Sequence, residues 1–306
     1  MLDVAETASH VNSGVSVLTI VKGRQQQLQN QLRGLVLSDQ TPAEWVVVGM
    51  GESAEPTLAD LMTDLNVPFP VRFATVATDG QHELPLAEAR NLAADVARHP
   101  LLVFLDVDCI PAPELLTEFY HAQRRRAQLW MGTPLYLPAG AADGSWSLQR
   151  LTERAVRHPK IPLLEPTERI DQYAYEMFWS LCFCIMADTF RSVGGFDESF
   201  AGYGAEDTDF AFAARDSDVP FGLIGGRVFH QYHSVCKPPL NHFESILINA
   251  RRFREKWGCW PMESWLNAFD DRGLIRFSAQ HDVLETVRSP SRQEIAEAVT
   301  ETPAGF

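Results

Sequence analysis

An α/β fold with a mostly parallel sheet and helices on both faces is what this sequence predicts, and three observations carry the prediction. Short β-branched apolar runs alternate with helical segments through the first hundred residues. Several of the runs, 15–21 and 44–48 among them, are predominantly apolar instead of alternating, the pattern of strands buried on both faces. The chain has 306 residues, 45% apolar and 22% charged, enough for one large core without disulfides or metal.

The elements follow in order. Residues 15–21, VSVLTIV, read as the first buried strand. Residues 22–39 are helical, with Leu28, Leu32, Leu35 and Val36 on one face. Strands follow at 44–48, EWVVV, and around VRFATV within 68–77, with a short helix over 56–66 between them. A helix over 85–98 begins at Pro85, which the first turn tolerates, and stops at Pro100. LLVFLDVD, 101–108, is the fourth strand. The second half is patterned differently. Residues 136–176, rich in Pro and charge, predict long loops and short helices, with an ordered lid as one option. FWSLCFCIM, 178–186, predicts another buried strand, and 188–196 a helix ended by Gly194 and Gly195. A helix from Glu206 turns Phe210, Ala213 and Ala214 inward; 219–229 predict a strand and 241–257 an amphipathic helix. From about 286 the chain is polar, and a disordered tail is the expectation.

Charge narrows the function classes. Lys plus Arg number 26 against 40 for Asp plus Glu, a net charge of −14. That argues against a nucleic-acid binder, which needs a basic footprint, and against passive adhesion to an anionic membrane. The five cysteines, Cys109, Cys182, Cys184, Cys236 and Cys259, are odd in number and form no C-x-x-C pair. They read as reduced thiols packed as small hydrophobes. Residues 1–14 hold no apolar signal core, and runs such as Leu101–Leu105 are too short to span a bilayer. The expected location is cytoplasmic, with action at the inner membrane face left open through a partner or an acceptor lipid.

Ligands of such sheets bind beyond the carboxyl ends of the strands, here 22–24, 49–53, 78–82 and 106–108. Four signals gather chemistry there. Asp106 and Asp108 end a very apolar strand; extended, they would share a face about 6.6 Å apart. Two buried negative charges need a compensating cation, which Mg²⁺ or Mn²⁺ carrying phosphate oxygens would supply. The same pair also fits a strand ending in a solvated acidic turn. The Gly-rich segment 194–210 ends with Glu206, Asp207 and Asp209 opening a helix. They fit either an acidic first turn or a general base beside a pocket. His230 and His233 can share a metal or lie solvated on the surface. Lys22 and Arg24 suit a diphosphate, or merely a solvated helix start.

Taken together, LTIVKGRQQQLQNQL, LPLAEARNLA, LVFLDVDCIP, GGFDESFAGYGAEDTDF and GRVFHQYH resemble the family 2 glycosyltransferases of GT-A (Rossmann-like) fold. The C-terminal half is similar to the galactosyltransferase-type domain of the β-1,4-galactosyltransferases and of bacterial chondroitin polymerase modules. The resemblance covers roughly residues 14–235. It implies that Lys22, Arg24 and Arg90 contact the nucleotide, that Asp106 lies on the nucleoside side, and that Asp108, His233 and His230 bind the metal. It implies further that Trp179 and Ser180 line the sugar pocket, that Asp207 is the catalytic base, and that Glu206 contacts acceptor or sugar. Two departures stand out. Tyr203-Gly204-Ala205 replaces the frequent Trp-Gly-Gly, and Ser180-Leu181 a frequent Gly-Gly.

The implied organisation is one large domain: a nucleotide-sugar-binding half, 14–135; an acceptor, metal and catalytic half, 136–285; and the tail, 286–306. The implied activity is inverting, Mn²⁺- or Mg²⁺-dependent transfer from a nucleotide sugar. The donor would be UDP-linked and galactose- or N-acetylgalactosamine-like, and the acceptor a glycan, lipid-linked or small-molecule hydroxyl. The same acids and histidines would also serve a metal-dependent nucleotidyltransferase or phosphohydrolase, or a non-catalytic sugar-nucleotide-binding module.

Overall fold

The computed structural model describes residues 14–78 and 84–300; the expected ligand loop at 78–82 therefore lies almost wholly outside the described residues. The first half alternates as the sequence predicts: β1 (Val15–Val21), α1 (Gln25–Val36), β2 (Glu44–Met50), α2 (Glu55–Asp64), β3 (Val71–Val76), α3 (Leu86–Val96) and β4 (Leu101–Leu105). Then come β5 (Cys109–Pro111), α4 (Leu115–Arg125) and β6 (Leu129–Tyr136), which the sequence reading left undefined. The loop-rich stretch holds α5 (Leu148–Arg154), β7 (Val156–Arg157) and β8 (Arg169–Ile170). It leads to β9 (Cys182–Met186), α6 (Ala187–Val193), α7 (Glu206–Asp216) and β10 (Phe221–His230). The C-terminal part comprises β11 (Val235–Cys236), α8 (Phe243–Trp257), α9 (Glu263–Asp270), β12 (Ile275–Ser278), β13 (Val283–Thr286), α10 (Arg292–Ala298) and β14 (Val299–Thr300).

One sheet runs β3-β2-β1-β4-β9-β6-β10-β5, with β7 on β6 and β8 on β10. The β3-β2-β1-β4 block and the β6-β10 pair are parallel; β9 lies antiparallel between them and β5 antiparallel at the edge. Each face is covered. Leu28, Leu58, Leu115 and Phe119, from α1, α2 and α4, pack with Val17, Val47 and Val103 on one face. Ala89, Ala93, Phe190 and Phe210, from α3, α6 and α7, pack with Leu18, Val46 and Leu102 on the other. Predominantly apolar runs were the right sign of two-sided burial for β1, β2 and β4, where neither face of the pleat meets water; the edge strand β3, with Arg72 and Thr75, is partly exposed. Cys109, Cys182 and Cys184 are buried as expected, whereas Cys236 is half-buried and Cys259 exposed.

Several expectations need correction. The strand predicted from Phe178 begins at Cys182; 178–181 form a loop at the strand's start. Asp106–Asp108 is a turn beyond β4, closed by Cys109 N donating to Asp106 O at 2.9 Å, so the two acids do not share a strand face. Ala213 is half-buried, while Ala211 and Phe212 join Phe210 inside. The stretch from 286 is folded through Thr300: α10 begins with a Ser291/Glu294 capping box, and β14 pairs with β11. Residues 301–306 lie outside the described residues.

Candidate active site

The site forms where β1, β4, β10 and α7 end or begin. After β1, Gly23 and Arg24 both adopt left-handed backbone (φ 62° and 52°), and this turn brings the Arg24 guanidinium onto Asp108. Lys22, beside it, is exposed. After β4, the Asp106 amide donates to Leu181 O at 2.8 Å, which ties the acidic turn to the 178–181 loop. That loop carries Ser180, buried, and Trp179, half-buried, whose ring meets the His158 ring edge-on at 4.8 Å. After β10, His233 Nε2 lies 3.8 Å from Asp108 Oδ2, and the His230 and His233 rings are 5.3 Å apart.

Asp108, His230 and His233 can each present one ligand atom, with all three atoms within 4.8 Å of one another. The donor set fits a divalent cation. Asp108 Oδ1 is buried and has no hydrogen-bond partner, a condition that a buried carboxylate rarely tolerates. Burial first, then the neighbouring His233 and Arg24, push His230 down to about 3, so its imidazole is neutral and able to ligate. Burial and Arg24 also lower His233. With Nδ1 of His233 at 3.1 Å from Ser234 O, that nitrogen can carry the proton and leave Nε2 as the ligand.

The second cluster opens α7. Ala205, the residue before the helix, holds φ 70°, a left-handed conformation that L residues adopt only under strain. It stands where the resembling family often has glycine. Glu206 is buried, its Oε2 accepting from Gly204 N at 3.0 Å and its Oε1 3.8 Å from Arg90 Nη1. Arg90, buried on α3, stacks over the Phe196 ring at 5.0 Å, and its Nη1 makes no hydrogen bond. Burial, then the charge of Asp207, raises Glu206 to about 7. Burial likewise raises Asp207, whose Oδ1 accepts from Thr208 N at 2.7 Å.

Tyr203 stands just before this cluster, three residues ahead of Glu206. Its ring is exposed on one side; desolvation of the hydroxyl, then the charges of Glu206, Asp207 and Asp106, push its phenol upward. The Tyr203 ring stacks on His242 (4.5 Å) and Trp265 (5.7 Å), which brings the C-terminal helices to the site's edge.

The third acid of the helix is structural. Asp209 is buried and pairs with Lys256 at 2.9 Å and with Trp257 Nε1 at 2.7 Å, docking α8 on α7. Asn249, also on α8, donates to Ala201 O and Gly204 O at 3.0 Å and holds the loop before Glu206. Sequence reading missed Asn249, as it did Asn30, Gln31 and Gln231; helical amides look like solvated surface until a partner is seen.

Comparison with known proteins gives a family and a fold. The family described as "Glycosyltransferase like family 2" matches residues 25–217. Two curated relatives are named validoxylamine A glucosyltransferase. That of Streptomyces hygroscopicus subsp. limoneus is 25% identical over 283 residues, covering 85% of this chain and 60% of the relative. That of S. hygroscopicus subsp. jinggangensis (strain 5008) is 28% identical over 212 residues, 62% and 49% respectively. The chain thus spans about half to three fifths of the relatives' length. Among solved structures, S. aureus TarS 1-349 in complex with UDP superposes with a TM-score of 0.53 at 13% identity, covering 79% of this chain and 65% of that one. At that identity the likeness speaks to the GT-A-like fold alone.

Proposed function

This chain belongs to glycosyltransferase family 2, and from that membership we propose an inverting transferase that moves a hexose from a UDP-sugar to an acceptor hydroxyl with the help of a divalent cation. The observation that carries the proposal is the convergence of Asp108, His230, His233 and Arg24 on one point at the sheet's carboxyl edge.

Asp108, His230 and His233 would hold the cation, which when bound neutralises the diphosphate leaving group. Two imidazoles beside one carboxylate suit Mn²⁺ better than the strictly oxygen-seeking Mg²⁺. Arg24 and Arg90 clamp the diphosphate oxygens, with Lys22 at the rim; Arg90 Nη1, buried without a hydrogen bond, has the capacity to do so. Asp106 orients the nucleoside, and Trp179 and Ser180 border the sugar. Asp207 takes the acceptor's proton as its oxygen attacks the anomeric carbon. One displacement with one base inverts that carbon.

The preference for Asp207 over Glu206 has support in their contacts. Glu206 is engaged on both oxygens, by Gly204 N and Arg90, whereas the bonds from Thr208 to Asp207 both fall on Oδ1. The galactose-like donor suggested by the C-terminal half gives way to glucose as first choice, since both curated relatives are named glucosyltransferases. The test is product analysis with UDP-glucose, UDP-galactose and their N-acetyl forms, with Mn²⁺ and a panel of acceptors. UDP and a glycoside of inverted configuration are expected. Release of pyrophosphate, or no turnover with any UDP-sugar, would overturn the proposal.

A further inference from the structure

Between α1 and the two ligand-bearing turns lies a buried polar lattice that the reading above does not use. Gln31 is wholly buried. Its Oε1 accepts from Thr19 Oγ1 at 2.8 Å, and that hydroxyl accepts from Trp45 Nε1 at 3.0 Å. Its Nε2 donates to the carbonyls of Asp106 (2.7 Å) and Cys109 (3.0 Å), one on each side of Asp108. Next to it, Asn30 Nδ2 donates to Gln231 Oε1 at 2.8 Å and to Ala142 O at 2.9 Å. Gln231 sits between the two histidines; its Nε2 donates to Gln27 O at 3.0 Å and its backbone amide to Asp108 O at 2.7 Å.

The oxygen and nitrogen of the Gln31 and Gln231 side chains are thus all engaged. A packed helix face needs only apolar side chains of the right shape, and α1 already has them in Leu28, Leu32 and Leu35. Amides in that setting are costly unless satisfied, and once satisfied they fix a single geometry. Here they fix the turn carrying Asp108 and the segment carrying His230 and His233, two stretches more than 120 residues apart in sequence, against two adjacent residues of one helix.

We propose that Asn30, Gln31 and Gln231 are positioning residues for the divalent cation, aiming Asp108, His230 and His233 at one point before metal arrives. The inference rests on the metal reading given above. It predicts that loss of these amides weakens metal binding more than it weakens the fold.

The experiment titrates the Gln31→Met and Gln231→Met variants of this chain with Mn²⁺, following free Mn²⁺ by electron paramagnetic resonance, and records thermal unfolding of each in EDTA. Outer-shell partners of this kind change metal affinity by about 10- to 100-fold, and a rise of that size in Kd is expected. At saturating Mn²⁺, kcat should return toward wild type while the Mn²⁺ requirement stays raised. Folded variants that bind Mn²⁺ like wild type, with only a lowered Tm in EDTA, would overturn the proposal and leave the lattice purely structural. Should Gln31→Met not fold, Gln231→Met, which breaks only its two side-chain bonds, decides the matter. Asp108→Ala separates this inference from its premise. It should lose Mn²⁺ binding outright, and a wild-type protein that binds no Mn²⁺ removes the metal reading and the inference together.

Discussion

Asp207 and Glu206 adjoin in sequence, yet successive helical residues point about 100° apart, so one alone faces a given point in the site. Asp207→Asn keeps the size and removes the proton acceptor. General-base loss costs roughly 10²–10⁴-fold in kcat, with UDP affinity retained because the diphosphate contacts come from other residues. Single-turnover transfer with a parallel UDP titration measures both; wild-type transfer by Asp207→Asn would remove it from the role. Glu206→Gln makes a different prediction. Buried beside Asp207, Glu206 is raised to about 7 from an ordinary 4.5, so the folded state binds its proton more tightly than the unfolded chain. Its stabilising effect is therefore full below pH 4.5 and lost as pH rises through about 7. Above that pH the buried charge is a burden that glutamine does not carry. Glu206→Gln should raise Tm by a few degrees at pH 8, with the gain gone at pH 4.5, while transfer stays within about tenfold of wild type. A Tm difference that does not change with pH would show that Glu206 titrates normally.

Among the elements, β10 shows how a local distortion serves a loop far away in sequence. Its register against β6 shifts between Leu223 and Arg227, and in that gap Gly225 donates from its amide to Glu168 O at 2.8 Å. A Cβ at Gly225 would lie 1.7 Å from Glu165 O, a backbone atom that cannot swing aside. Gly225→Ala should therefore lift the 161–170 loop from the sheet and cost about 1–3 kcal/mol in denaturant unfolding, with new protease cleavage inside that loop. Unchanged stability would mean that the loop moves freely. Such pairings explain which elements were legible in the sequence. The strands β1, β2, β4 and β9 announce themselves by predominantly apolar runs and α3 by its prolines, while β3 carries Arg72 and Thr75 and is partly exposed. β6 does not announce itself, because Gly132 and Pro134 interrupt LWMGTPLY; its pairing with β10 on one side and β9 on the other defines it. The site divides in the same way. Asp106, Asp108, His230, His233, Glu206 and Asp207 stand out as charge or imidazole next to apolar strands or glycines. Asn30, Gln31, Gln231 and Asn249 do not, since an amide's importance lies wholly in what it bonds to.

At the scale of the whole molecule, the chain's two ends of interest meet behind the histidines. β14 pairs with β11 through Val235–Thr300 and Cys236–Val299, and Lys237 N donates to Ala298 O at 2.7 Å. Val235 is two residues beyond His233, so the last described strand is a backstop for the ligand-bearing segment. α10 holds that strand in place: Ala298 and Ile295 pack with Leu240, Phe243 and Phe269, and Arg288 pairs with Glu294 at 2.8 Å. None of these contacts touches the main sheet, which keeps its own two cores. Ending the chain after Val287 should therefore leave the sheet folded, by far-UV circular dichroism, while removing apolar burial on the order of 2 kcal/mol from the C-terminal cluster. With β11 unpaired, His233 loses its fixed approach to Asp108, and Mn²⁺ affinity should fall along with Tm. His230, inside β10 and paired with Cys109 of β5, keeps its place, so weak binding is expected to persist. Measuring Mn²⁺ affinity at a temperature well below the lowered Tm separates the two effects. A truncated chain that unfolds earlier but binds Mn²⁺ as tightly as the full one would confine the C-terminal segment to stability and detach it from the site.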